Sequence, residues 1–340
     1  MPSRRVRSKF IWTAVVTAAV CAPLASSLAG QASGGAAPAA GRTADGRPDL
    51  TGVWNFTTNT PLERPPEMGT RARLTADEVA AREAQARQTR VDTPPREGDP
   101  GTYNRFWTDQ PRVTTRTSMI VDPQDGRLPP LTPEGAAFQA RLAAMRAGVD
   151  DDAPTPGGWV DAIGPHGLSV RCIVGFNAGP PMTGSGYNAN VQIFQSPGTV
   201  VLLNEMIHSA RIVPMDGRPH PPAAIRQWAG VSRGRWEGET LVVETRNFAH
   251  TVSDFANDRP AGPDMRVTER FTLADRDTLV YRYTLDDPSW FTQPWTAEID
   301  MVRSDQPLYE YACHEGNLSM HGILSGARTR EAPASPVRSR

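Results

Sequence analysis

From residue 168 onward the sequence breaks into short runs of alternating apolar and polar residues separated by turn residues, and this rhythm confines the chain to antiparallel β architecture. The runs fall at 170–176, 190–196, 199–208, 210–214, 231–236, 239–247, 266–273, 278–285, 294–303 and 308–313. Ser196-Pro197-Gly198, Glu237-Gly238 and Ala274-Asp275-Arg276-Asp277 leave room only for tight turns, so neighbouring strands pair in sequence order. A meander of this length has two edges to hide. It is expected to close into a lipocalin-like barrel or to stack as two packed sheets, with two or three peripheral helices.

The preceding half supplies the rest of the domain. Leu50 to Phe56 alternates as a first strand does, and its Gly52-Val53-Trp54 is echoed by Gly234-Arg235-Trp236. Thr75-Ala76-Asp77-Glu78 reads as a helix start with a carboxylate three residues after the cap, and that helix runs to about Arg90. Thr117 to Asp122 reads as a short strand. Thr132-Pro133-Glu134 opens a second helix ending near Arg146, and a third runs from about Gly316 to Ala327. Helical and loop insertions thus occupy 75–165 of one β-rich domain spanning 49–330, followed by a disordered tail at 331–340. Asp-Gly-Arg at 45–47, 125–127 and 216–218 marks turns.

The amino terminus places Arg4, Arg5, Arg7 and Lys9 before an apolar run from Phe10 to Leu28 and the small residues at Ala29 and Gly30, the order of a cleavable signal peptide spanning 1–29. The expectation is a periplasmic or extracellular protein, exported by the general secretory route because the residues after Arg4-Arg5 do not continue a twin-arginine motif. Cys21 follows Ala18-Ala19-Val20, without the small residue that a lipoprotein signal needs beside its cysteine. Residues 30–48, rich in Ala, Gly and Pro, read as a disordered tether. Beyond the leader no second long apolar segment occurs, so no stable membrane span is expected after cleavage. A net charge of −1 with dispersed Lys and Arg gives no reason to propose nucleic acid as a partner. Cys172 and Cys313 remain, most simply as a disulfide in an oxidising compartment; the competing reading makes Cys313 a metal ligand beside His314.

Gly101-Thr102-Tyr103-Asn104-Arg105-Phe106-Trp107, Gly175-Phe176-Asn177-Ala178-Gly179-Pro180-Pro181, the segment Arg233 to Thr245 and Tyr311-Ala312-Cys313-His314-Glu315-Gly316-Asn317 together resemble a family of secreted bacterial proteins with no established activity. The resemblance implies export and a β fold. It implies no ligand and no catalytic residue.

No hydrolase elbow, phosphate loop, dinucleotide fingerprint or His-Glu-x-x-His motif is present. The ionisable candidates are Glu205, His208, Arg211, His220, His250, His314, Glu315 and His321. Strand alternation places Glu205 with Val201, Leu203 and Ile207, and Arg211 has the parity to pair with it. His314 with Glu315 forms a candidate proton-transfer pair, and His321, seven residues on, gives the alternative of a metal site with His314; no cofactor is otherwise expected. Trp290, Phe291 and Trp295 surround a loop whose rings are placed to line the mouth of a cavity, and the loop holding Asn177 and Tyr187 offers polar contacts. The leading expectation is an exported protein binding a small organic ligand. The alternative is an envelope hydrolase, lyase or isomerase using His and Glu acid-base chemistry.

Overall fold

The computed structural model describes residues 41–88, 112–148, 167–184, 186–249 and 261–331. The expected signal peptide, most of the expected tether, the aromatic segment 101–107, His250 and the residues after 331 lie outside these residues.

The protein is mainly β. Ten strands form one antiparallel sheet: β1 (Gly52–Asn55), β2 (Ile120–Asp122), β3 (Asn190–Ser196), β4 (Thr199–Asn204), β5 (Ala210–Pro214), β6 (Val231–Glu237), β7 (Thr240–Arg246), β8 (Arg266–Leu273), β9 (Thr278–Asp286) and β10 (Trp295–Ser304). The hydrogen-bonded order is β5-β4-β3-β1-β10-β9-β8-β7-β6, and β2 pairs with β10 beside β1. The hairpins form where turn chemistry places them. Gly198 and Gly238 adopt φ of 80° and 59°, and the glycines of the three Asp-Gly-Arg turns, Gly46, Gly126 and Gly217, sit between 72° and 76°.

The sheet is neither a closed barrel nor two stacked sheets. It curls until its end strands, β5 and β6, lie side by side without joining into a ladder. Nine strands in the main path, each antiparallel to the next, leave the first and last running in the same direction. Parallel neighbours need a long crossover, and residues 215–230 supply one.

The curled sheet encloses the core, with Trp54, Val191, Ile193, Leu202, Leu241, Val243, Phe271, Tyr281, Tyr283 and Trp295 all buried. Helix α1 (Ala76–Gln88) starts at a reciprocal cap: Glu78 N–H donates to Thr75 Oγ1 while Glu78 Oε2 accepts from Thr75 N–H. Helix α2 (Pro133–Arg146) starts with Thr132 Oγ1 accepting from Gly135 N–H. The one-turn α3 (Gly167–Val170) and α4 (Leu318–Glu331) complete the helices. None of the described helices is long and apolar enough to cross a membrane.

Two expected strands do not form. Residues 170–176 instead follow α3 as turns and bends, and 308–313 is an irregular segment leading to α4. Both flank the same covalent link, Cys172 to Cys313, whose Cα atoms are 5.8 Å apart. Their apolar residues pack around that link rather than into the sheet: Phe176, Tyr311 and Cys313 join a small cluster with Ala178, Met206 and Ile207. Residues 41–48, placed by composition in the tether, form a turn closed by an Arg42–Pro48 bridge, with Arg42 reaching Glu239 at 2.8 Å.

Candidate functional site

Three regions hold the sequence-predicted residues, and they are not one site. The first lies around the Cys172–Cys313 link. β4 stops at Asn204, and Met206–His208 turns as a 3-10 helix, so strand parity fails beyond Asn204. Glu205 is buried, yet its partners are amides. Asn188 Nδ2 donates to one carboxylate oxygen at 2.6 Å and Asn190 Nδ2 to the other at 2.8 Å. The expected Glu205–Arg211 pair is therefore absent. Asn177 Nδ2 donates to the carbonyls of Tyr187 and Asn188, and the Phe176 and Tyr187 rings meet edge to face at 5.3 Å, so Asn177 and Tyr187 shape their own loop. Cys172, Asn188, Ile207 and His208 all have φ between 39° and 56°, a region that is costly for a β-branched residue such as Ile207. The Cys172–Cys313 link and the Glu205–Asn188 contact hold this strained corner together.

His314, Glu315 and His321 are exposed near the start of α4. Cys313 is committed to Cys172, which removes it as a partner for His314 in binding metal. Among the described residues no group of three or more His, Cys, Asp or Glu is arranged to hold a metal ion.

The second region is the aromatic loop before β10. Trp290, Phe291 and Trp295 do not line an opening. All three are buried in the main core, where Trp290 meets Phe138 of α2 at 5.3 Å and Trp295 meets Tyr283 at 5.7 Å. The loop is covered because α2 is tied to it. Thr132 Oγ1 donates to Ser289 O at 2.8 Å, and a side chain at Gly135 would run within 2.9 Å of Trp290 O. Tyr283 Oη and Trp295 Nε1 make no hydrogen bond, so both rings act there as apolar packing.

The third region is the seam, where a groove of about 470 Å³ lies between β5 and β6. Arg211, Ile212 and Pro214 line it from β5, Pro221, Ile225 and Gln227 from the crossover, and Val231, Ser232 and Arg233 from β6. Its rim is apolar, with Ile212 68 % and Ile225 54 % exposed although both are large aliphatic residues. Behind the rim Arg211 is buried and reaches Glu269 of β8 through Nη1 at 2.5 Å and Nη2 at 2.9 Å. Six ladder steps separate β5 from β8 along the sheet, so this contact exists only because the sheet curls. Tyr281 Oη donates to Glu269 Oε1 at 2.8 Å and accepts from Met182 N–H at 2.9 Å. Burial alone would draw the Arg211 pKa down; the adjacent Glu269 carboxylate outweighs it, and the guanidinium stays charged. Among the described residues, Arg211 Nε has no acceptor.

The crossover that walls the groove is pinned by side chains. Asn247 Nδ2 donates to the carbonyls of Pro221, Pro222 and Ile225, and Arg233 Nε to Pro219 O. His220 is part of it, with Nε2 3.4 Å from Glu244 Oε1. Burial lowers its pKa, with Arg246 and Arg233 adding to the effect and Glu244 opposing it.

Glu269 and the seam were missed from the sequence, although one signal was present. Glu269 has the same strand parity as Val267 and Phe271, which puts a carboxylate on a core face where only a paired charge survives. Comparison with family models, curated proteins and solved structures yields no match to this chain.

Proposed function

We propose that this is an exported protein that binds a small organic ligand in the groove between β5 and β6. The observation that carries the reading is the combination found at the seam: a concave space between two strands not joined in a ladder, an apolar rim, and a buried polar side chain behind it. Ligand sites are commonly built from such mostly apolar walls with a few placed polar groups. The disulfide fits an oxidising compartment, and the amino-terminal sequence fits export. The resemblance to secreted bacterial proteins supports the same location. Acid-base catalysis has less support, since His314 and Glu315 are exposed while Glu205 and Arg211 are committed to different partners.

The test uses the neutral fluorescent probe 1-aminoanthracene. Ile212 is mostly exposed, so Ile212→Asp leaves folding intact while placing a charge at the rim. Binding by the unmodified protein and at least tenfold weaker binding by I212D, with melting unchanged, supports the seam as the site. Equal binding by both proteins rejects it.

A further inference from the structure

We infer that the groove accepts a neutral molecule with an apolar body and one hydrogen-bond acceptor, such as a ketone, ester or amide, and discriminates against carboxylates. This rests on the reading of the seam as the ligand site and adds the ligand's chemistry to it.

The argument begins with charge. Both terminal nitrogens of Arg211 are held by Glu269, so the buried polar group behind the groove is an ion pair with no net charge to offer. A ligand carboxylate would lose its water and approach the Glu269 carboxylate as well as the guanidinium, whereas a ligand cation would meet Arg211 first. Arg233 is the other cation of the lining, and its Nε and Nη1 already donate to Pro219 O and Ser232 O.

Hydrogen bonding narrows the class further. The two contacts to Glu269 leave Arg211 Nε–H as a buried donor without an acceptor. A buried donor left unmade is costly, so a molecule bringing a carbonyl oxygen recovers that loss on binding, while a hydrocarbon of the same shape does not. The nitrogen is screened from solvent, so the inference requires β5 and β6, which share no ladder, to part far enough for the acceptor to reach it. The rim of Ile212, Pro214, Pro221 and Ile225 then covers the apolar body.

Three probes of closely matched shape separate these effects: 2-isopropenylnaphthalene, 2-acetonaphthone and 2-naphthoate, titrated into the disulfide-intact protein labelled with [15N]arginine. The inference requires 2-acetonaphthone to bind at least about tenfold tighter than either of the others and to shift the Arg211 Nε–H resonance. Arg211→Lys keeps the charge and removes that donor, so the preference for the ketone should vanish if the variant folds; if it does not fold, the resonance shift in the unmodified protein decides. Equal affinity for 2-isopropenylnaphthalene and 2-acetonaphthone overturns the acceptor role while leaving the seam as the site. Tightest binding of 2-naphthoate overturns neutrality and points to Arg233. Failure of all three to bind removes the ligand-site reading itself, and this inference with it.

Discussion

The guanidinium of Arg211 grips the carboxylate of Glu269 through both terminal nitrogens, joining an end strand to a strand on the other side of the open seam. The pair does what no backbone ladder does there. Arg211→Met or Glu269→Gln alone strands a buried charge and should cost about 3–5 kcal/mol, whereas the double variant R211M/E269Q recovers most of that loss. Urea unfolding of the four proteins as a double-mutant cycle measures the coupling. Additive losses would show that the two side chains do not support each other.

Gly234 on β6 is where the seam comes closest. A Cβ there would collide with Met215 Sδ and lie 2.8 Å from Val213 Cγ1. Gly234→Ala should destabilise by about 1–3 kcal/mol and push β5 away from β6, while Gly186→Ala, with nothing near its Cβ, stays within about 0.5 kcal/mol. Thermal melts of the two variants give the comparison, and equal melting points would contradict the close approach.

The disulfide should matter locally more than its position suggests. In the chain-entropy model, closing a loop of 141 residues contributes on the order of 4–5 kcal/mol. Around the link, among the described residues, sit a small apolar cluster and four non-glycine residues at positive φ. Hydrogen exchange of the C172A/C313A variant should therefore show protection lost first at 172–190 and 311–317, with β8 to β10 retained. Uniform loss across the sheet would count against a local role.

Protonating His220 should weaken the fold. Its pKa is lowered in the folded state below the ordinary value of about 6.5, chiefly by burial. The unfolded chain therefore takes up the proton first as pH falls. The stability contribution is complete above about pH 6.5 and is lost as pH drops through the lowered folded value. Asp287, whose pKa burial raises, has the opposite slope in the acid range, so the measurement is a difference. Denaturation midpoints at pH 7.5 and 5 should fall less for His220→Gln than for the unmodified protein; parallel slopes would remove His220 as the cause.

The strands of the second half were legible because period-two alternation and glycine turns are local signals. β3, β5 and β8 have the expected bounds, and the other long strands differ by a residue or two except β4. At β4 the sequence continues apolar through Ile207, but the chain turns after Asn204, and the covalent link between distant residues reshapes what parity describes. The aromatic loop misled for a related reason. Trp290 and Phe291 flank a turn-rich segment, and only the packing of α2 over it makes them core. Ring closure was expected from the need to hide edges. The parity of the strand number decides only whether the end strands run parallel or antiparallel, and β1, far away in sequence, enters between β3 and β10 to set it; the seam itself stays open.

The open seam has a mechanical consequence. A ring of strands joined all the way round has a fixed girth, since widening it means tearing a ladder. This sheet is a split hoop. Its two ends are held by side chains, Arg211 on Glu269 and Val213 against Gly234, so its girth can grow by parting contacts that re-form without any strand losing its ladder partner. If the groove takes a guest as proposed, the slit between β5 and β6 is where the hoop has slack to fit guests of different thickness.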